Sequence, residues 1–538
     1  MKTVMLTILA ATLVAQHQHP ASKPVKPATL TAGLGKHHHP ISTTSPLAQK
    51  FFDQGLVLVY GFNHDEAVRS FTRAAELDPK AAMPNWGVAL ALGPNINSDV
   101  DPAREKAAYD ALQKALARRA AAPPVERAYI DALARRYSDD PKADLKKLAV
   151  DYKNAIGELM RAYPDDLDAA TLYAEALMDL NPWRLWTSDG HPAEGTEDIV
   201  GVLEGVLKRD PQHVGANHYY IHAVEASPHP ERALASAQRL ETLVPGAGHL
   251  VHMPGHIYVR TGDFEAAART NVVAAEVDRN YIRASQSQGM YPLMYYSHNL
   301  HFIAYARTEQ GLLDEARTAA DQLAANVAPA AKEMPMAEPF LGIRYFVLLR
   351  FGRWDDMLRA PAPADNAIIV GTLWHYARGV ALAGKSDRNG AAAEQAKFEE
   401  FRKKVPAETP FGNNTSANVL ALAAATLDAR LASDADAVER WRAAVRAYDL
   451  LSYDEPPAWY YPVRESLGAA LYRAGRYAEA ETVFREALDA NPRGARLLFG
   501  LRESLKSQKK DSSLPFVERE LQAAWKGAPL QIYRDDIR

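Results

Sequence analysis

Cysteine is absent from the 538 residues, so disulfides, thiolate metal ligands, a cysteine nucleophile and a lipidated cysteine are all excluded. A strong charge bias is also absent. Lys and Arg number 62 against 66 Asp and Glu, for a formal charge of −4 and a pI near 6.5. Neither nucleic acid nor an anionic membrane is therefore an expected partner. Strand formers are sparse and alanine is abundant, which predicts an all-α chain. Nucleophile elbows, phosphate-binding glycine loops, dinucleotide fingerprints and Ser/His/Asp signatures are missing as well.

Long apolar runs are nearly absent too. After Met1-Lys2-Thr3 comes VMLTILAATLVA, about twelve residues, too short to span a bilayer but matching the core of a secretory signal. Cleavage after Ala15 is expected; the alternative is an apolar start to an uncleaved chain. The expected organisation is a signal peptide at 1–15, a Pro/His-rich arm at 16–44 and N-terminal repeats at 45–160. Central repeats follow at 161–330, C-terminal repeats at 331–510 and a tail at 511–538. The expected compartment is a bacterial periplasm or the exterior, with no membrane attachment after cleavage.

What is present is a period of 34 residues. In YPVRESLGAALYRAGRYAEAETVFREALDANPRG (461–494), Gly468, Gly475, Ala480, Phe484, Ala487 and Pro492 fall at positions 8, 15, 20, 24, 27 and 32. Residues 48–81 repeat the pattern with Gly55, Ala67, Phe71, Ala74 and Pro79. This is the tetratricopeptide pattern, in which small residues let helices A and B approach and proline ends helix B. Weaker copies start at 214, 248, 297, about 338 and near 372. The predicted fold is a right-handed α-solenoid of stacked helix pairs. Two aromatic inserts, at about 181–195 and 280–296, interrupt it; each could be a lid or a solvent loop.

Nine of the seventeen histidines lie between His213 and His301. The tetratricopeptide resemblance implies that positions 2, 5, 9 and 12 of helix A line the concave groove. His218 and His222 take positions 5 and 9, His249, His252 and His256 take 2, 5 and 9, and His298 and His301 take 2 and 5. Seven imidazoles on one wall point to a transition-metal site, since neutral imidazole is the commonest metal ligand. The ligand type favours copper or zinc, with iron as a third option, and the number of histidines allows two ions. The competing reading is a hydrogen-bonded groove for an organic ligand. Pro254 cannot sit inside a helix, so helix A is expected to begin near His252, leaving His249 on the preceding turn as the weakest ligand. Tyr219 stands where a HExxH zinc protease places its base, so that identity does not follow.

Glu225 and Glu175 are candidate bases, and Tyr295, Tyr258 and Tyr296 candidate donors. His37, His38 and His39 could fold into the groove or form a metal-sticky arm. His64, His375, His191, His213 and His229 are expected to be structural or to lie in turns, and His17 and His19 to belong to the tail. The phrases HHHPISTTSPLAQKFFDQGLVLVYGFNHDEAVRSFTRAAELDP, NWGVALALGPNIN, NHYYIHAVEAS, GHLVHMPGHIYVR and YYSHNLHF resemble a family of secreted bacterial tetratricopeptide-repeat proteins. That resemblance implies fold and compartment and names no reaction. The leading expectation is a metal-dependent oxidoreductase or hydrolase acting on a small-molecule or peptide substrate. The alternatives are a protein-interaction scaffold and a passive metal carrier.

Overall fold

The computed structural model describes residues 28–287, 289–533 and 535–538. The expected signal peptide, His17 and His19 lie outside them. The described chain is helical almost throughout, with one two-stranded ribbon at Pro410–Phe411 and Asn414–Thr415.

The helices pair as the 34-residue period predicts: Pro46–Tyr60 with His64–Leu77, Val214–Val224 with Leu234–Leu243, and Arg464–Arg473 with Tyr477–Ala490. The physical reason is visible at Phe71 and Phe484, both fully buried. The Phe71 ring lies between Gly55 of its own repeat and Gly87 of the next helix, and the Phe484 ring likewise lies between Gly468 and Gly500. A Cβ at Gly55, Gly87 or Gly468 would stand 2.5–2.6 Å from a phenyl carbon. Glycine is thus required by close approach, and each phenylalanine joins one repeat to the next. Aspartates start several of the helices; Asp263, for example, accepts the Ala266 N–H at 3.0 Å.

Pro254 does not displace His249 as expected. Helix Gly248–His252 continues through Met253, at φ −52° and ψ −35°, into Pro254–Thr261. Proline takes the first turn of the second segment, where its missing N–H does least harm. The ladder re-forms around it through Met253 N–H to His249 O at 3.1 Å and His256 N–H to Met253 O at 3.2 Å. His249 therefore stays in helical register with His252 and His256.

Departures from the period set the shape of the interior. Between helices Leu167–Met178 and Thr196–Arg209, the loop carrying Trp183 and Trp186 is pinned by the Trp186 indole N–H to Ala223 O at 2.7 Å. The second insert begins as a continuation of helix Phe264–Ser285 and returns through a wide turn, Tyr291–Tyr295, into helix Tyr296–Glu309. The C-terminal repeats fold back onto the central ones. Arg496, fully buried, donates to Thr308 O, Arg350 O and Ile537 O at 3.1–3.3 Å. Arg350 grips Glu465 through two bonds of 2.9 Å, and Arg260 reaches Ala490 O at 3.3 Å. The concave side is thereby narrowed to an open-mouthed cavity of about 840 Å³.

Candidate metal centre

Helix Val214–Val224 brings His222 to the cavity wall with His218 behind it, and the next helix A brings His249 and His256 to the wall with His252 behind them. Helix Tyr296–Glu309 adds His298. These six form two triads. The ligand nitrogens of His218, His222 and His249 lie within 4.8 Å of one another, as do those of His252, His256 and His298. The triads adjoin: the His222 and His256 rings are 5.7 Å apart and those of His249 and His252 5.6 Å.

Four of the rings have their tautomer set by a partner on Nδ1. The Tyr60 carbonyl takes the His218 Nδ1–H at 2.5 Å. Asn271 Oδ1 takes that of His252 at 2.6 Å, and the amide is oriented by its own Nδ2–H to Ala267 O at 2.8 Å. Glu225 serves two rings, His222 through Oε1 at 2.6 Å and His256 through Oε2. A proton on Nδ1 leaves the lone pair on Nε2 directed inward. The Nε2 atoms of His218, His222 and His249 have no hydrogen-bond partner among the described residues. His252 Nε2 faces His256 Nε2 at 2.8 Å. Two lone pairs at that distance repel unless a cation or a proton lies between them.

Electrostatics follow the same geometry. Burial, reinforced by neighbouring imidazoles, holds His218, His249, His252 and His298 well below the usual histidine range. Burial also lowers His222, against the pull of Glu225. His256 is the exception: burial lowers it, but the Glu225 carboxylate more than offsets this and raises it. Glu225, about 1% exposed, is drawn far below the carboxylate range because His256 and His222 outweigh its burial.

Glu225 was a candidate base. With both oxygens engaged behind the rings, it is placed instead to orient two ligands. Glu175 is buried with Asp179 and Arg136 and does not line the cavity. Tyr295 does line it, with its ring edge-on to His249 at 4.8 Å and its hydroxyl pushed up to about 12 by burial. Tyr258 is spent on Glu241 at 2.5 Å, and Tyr296 lies off the cavity. His301 reaches the cavity beside Phe340 but joins neither triad. Burial lowers it to about 4.

The histidine arm does not enter the groove. His37 Nε2 and His39 Nδ1 meet the buried Asp168 carboxylate at 3.0 and 2.8 Å, and Tyr60 Oη donates to it at 2.5 Å. His213, expected in a turn, caps its helix by accepting the Ala216 N–H on Nδ1 at 3.1 Å. Its Nε2 consequently carries the proton and faces Asp168 at 3.2 Å. This is a hydrogen-bonded clasp. His375 is likewise structural, bound to Glu394 at 2.6 Å.

Several cavity residues carried little signal at the level of sequence. Phe62, in the YGFNH turn, adopts φ +54°, a left-handed conformation that non-glycine residues rarely take. It lays its ring 4.6 Å from His218 and 5.4 Å from His249. Asp454 and Glu455 come from the DEPP stretch ahead of the last strong repeat, and Tyr453 Oη bridges Glu455 at 2.8 Å and Glu225 at 3.4 Å. The acidic pair before two prolines was the available signal, and it specifies no destination.

Fold and site together define the chain as a tetratricopeptide-type α-solenoid around a histidine-walled cavity. More particularly, residues 464–493 match the tetratricopeptide repeat family model. Similar solved structures include yeast Tom70, at 12% identity over 89% of this chain and 93% of that one, with a TM-score of 0.28. Another is the human IFIT1 dimer with m7Gppp-AAAA, at 12% identity over 90% and 91%, with a TM-score of 0.31. No curated protein matches the chain in sequence.

Proposed function

We propose that the six imidazoles hold a pair of transition-metal ions, one per triad, at the wall of the cavity. The protein on this reading is a metal-dependent oxidoreductase or hydrolase acting on a small molecule. The observation that carries it is the inward set of Nε2 lone pairs, fixed by Tyr60, Asn271 and Glu225. Such outer partners are what orient and strengthen histidine ligands in metal sites. An all-imidazole set suits copper or zinc, with iron third. Two such ions would supply Lewis-acid activation of water or redox chemistry. The secreted location expected from residues 1–15 accords with exposure to such ions.

The second reading, a protein-interaction scaffold, has the tetratricopeptide match on its side, because solenoids of this kind present extended concave binding surfaces. Against it, five of the six histidines are buried rather than offered to a partner. Elemental analysis and metal titration of the full chain distinguish the two. Two equivalents are expected, with one lost in His218→Ala, the other in His252→Ala and both in the double variant. A folded chain that takes up less than one equivalent of copper, zinc or iron, yet captures a protein partner, would establish the scaffold.

A further inference from the structure

Apart from its histidines, the cavity carries mainly acidic charge. Among the described residues two arginines line it, and both are committed: Arg350 to Glu465 at 2.9 Å, and Arg104 to Asp65 at 3.0 Å. Around them stand Asp65, Asp99 and Asp101, all exposed, the half-buried Asp454 and the buried Glu455. Asp454 is held by the Asn413 N–H at 2.9 Å. Glu455, about 5% exposed, spends Oε1 on Tyr453, but its Oε2 has no partner among the described residues. A buried carboxylate oxygen without a donor is costly unless a ligand supplies one.

Between this carboxylate and the acidic rim the walls are aromatic. Tyr460 stacks on Phe346 at 4.4 Å and 8°, Trp183 stands edge-on to His222 at 5.5 Å, and Tyr291 stacks on Tyr295 at 5.0 Å. Aromatic faces and carboxylates both attract cations, whereas neither suits an anion. The volume of about 840 Å³ falls within the usual span for small-molecule sites, roughly 300–1,000 Å³.

We infer that the cavity takes an arylalkylamine, with its ring among the aromatic walls and its ammonium donating to Glu455 Oε2. The inference concerns the same cavity as the proposed metal centre but depends on the carboxylate rather than on the ions. Exposed acids at the rim draw a cation inward. Burial pushes Glu455 and Asp454 up to about 7, and an ammonium brings them back toward the ionised form.

The test is calorimetric titration of the full chain, metal-free and zinc-loaded, with three probes of one shape: phenethylamine, phenethyl alcohol and 3-phenylpropionate. Phenethylamine is expected to bind at least tenfold more tightly than either other probe in the metal-free chain, with zinc reducing that margin. Glu455→Gln is expected to remove that preference while leaving phenethyl alcohol unchanged. The native-chain ratios need no variant. Equal affinities, a preference for the carboxylate, no binding of any probe, or a Gln variant that keeps the preference would each overturn the inference. A chain that selects the amine but takes up no metal would overturn only the proposed metal centre.

Discussion

Glu225 touches both triads, so its removal tests the paired centre more sharply than loss of any ligand. In Glu225→Gln, one carbonyl oxygen can still accept from His222 or His256, but the amide N–H₂ then faces the Nδ1–H of the other ring. That ring must flip or move its proton to Nε2, which disables it as a ligand. In Glu225→Ala both rings lose their acceptor. Loss of an outer partner typically weakens metal binding by roughly 10–100-fold, about 1.4–2.8 kcal/mol per ion. Chelator competition with zinc should therefore show one weakened equivalent in the Gln variant and two in the Ala variant. Asn271→Ala, which frees only His252, should weaken one equivalent. Circular dichroism confirms that each variant folds. Two unchanged equivalents in Glu225→Ala would refute the idea that this carboxylate orients both sets.

Two further outcomes follow from the buried titratable groups. In the metal-free chain, His218, His249, His252 and His298 are held below their unfolded value near 6.5. The unfolded chain therefore binds more protons on acidification, and stability present above about pH 6.5 is lost as pH falls toward the folded values. Each such ring costs about 1.4 kcal/mol per pH unit below 6.5. His37, His39 and His256, raised by their carboxylate partners, and Asp278, Asp454 and Glu455, raised to about 7 by burial, act in the opposite direction. Removing one lowered ring should therefore remove about 1 kcal/mol of acid destabilisation between pH 7 and 5.5: metal-free His249→Gln is expected to lose less Tm over that range than the native chain, and parallel profiles would contradict the argument. At the clasp, Asp168→Asn leaves His37, His39 and His213 without their shared anion. Breaking a buried pair costs roughly 3–5 kcal/mol, so limited proteolysis should cut near residues 36–44 in the variant and spare them in the native chain.

The sequence by itself determined the periodic part of this protein. Glycine and alanine at the helix crossings, phenylalanine at position 24 and proline after helix B act within one repeat or between neighbours, so a 34-residue frame was enough to predict the helix pairs. The same frame put His218, His222, His252, His256 and His298 on helix A, because side-chain direction on a helix follows from register. It erred on His249: a proline rule taken alone did not anticipate a helix that could restart at Pro254 without changing course. Only the tertiary structure decided what completes the site. Tyr60 O, Phe62, Tyr453 and Glu455 lie some 150 to 240 residues from His218 in the chain, and no local pattern carries information over that range. Long-range contacts of Arg350, Arg496 and Arg260 make a cavity of the groove. The same folding leads the HHHP arm to Asp168, where donors at 2.8–3.0 Å outweigh any pull toward the histidine wall. Periodicity is a short-range property and could be read; the cavity depends on the summed curvature of many repeats and could not.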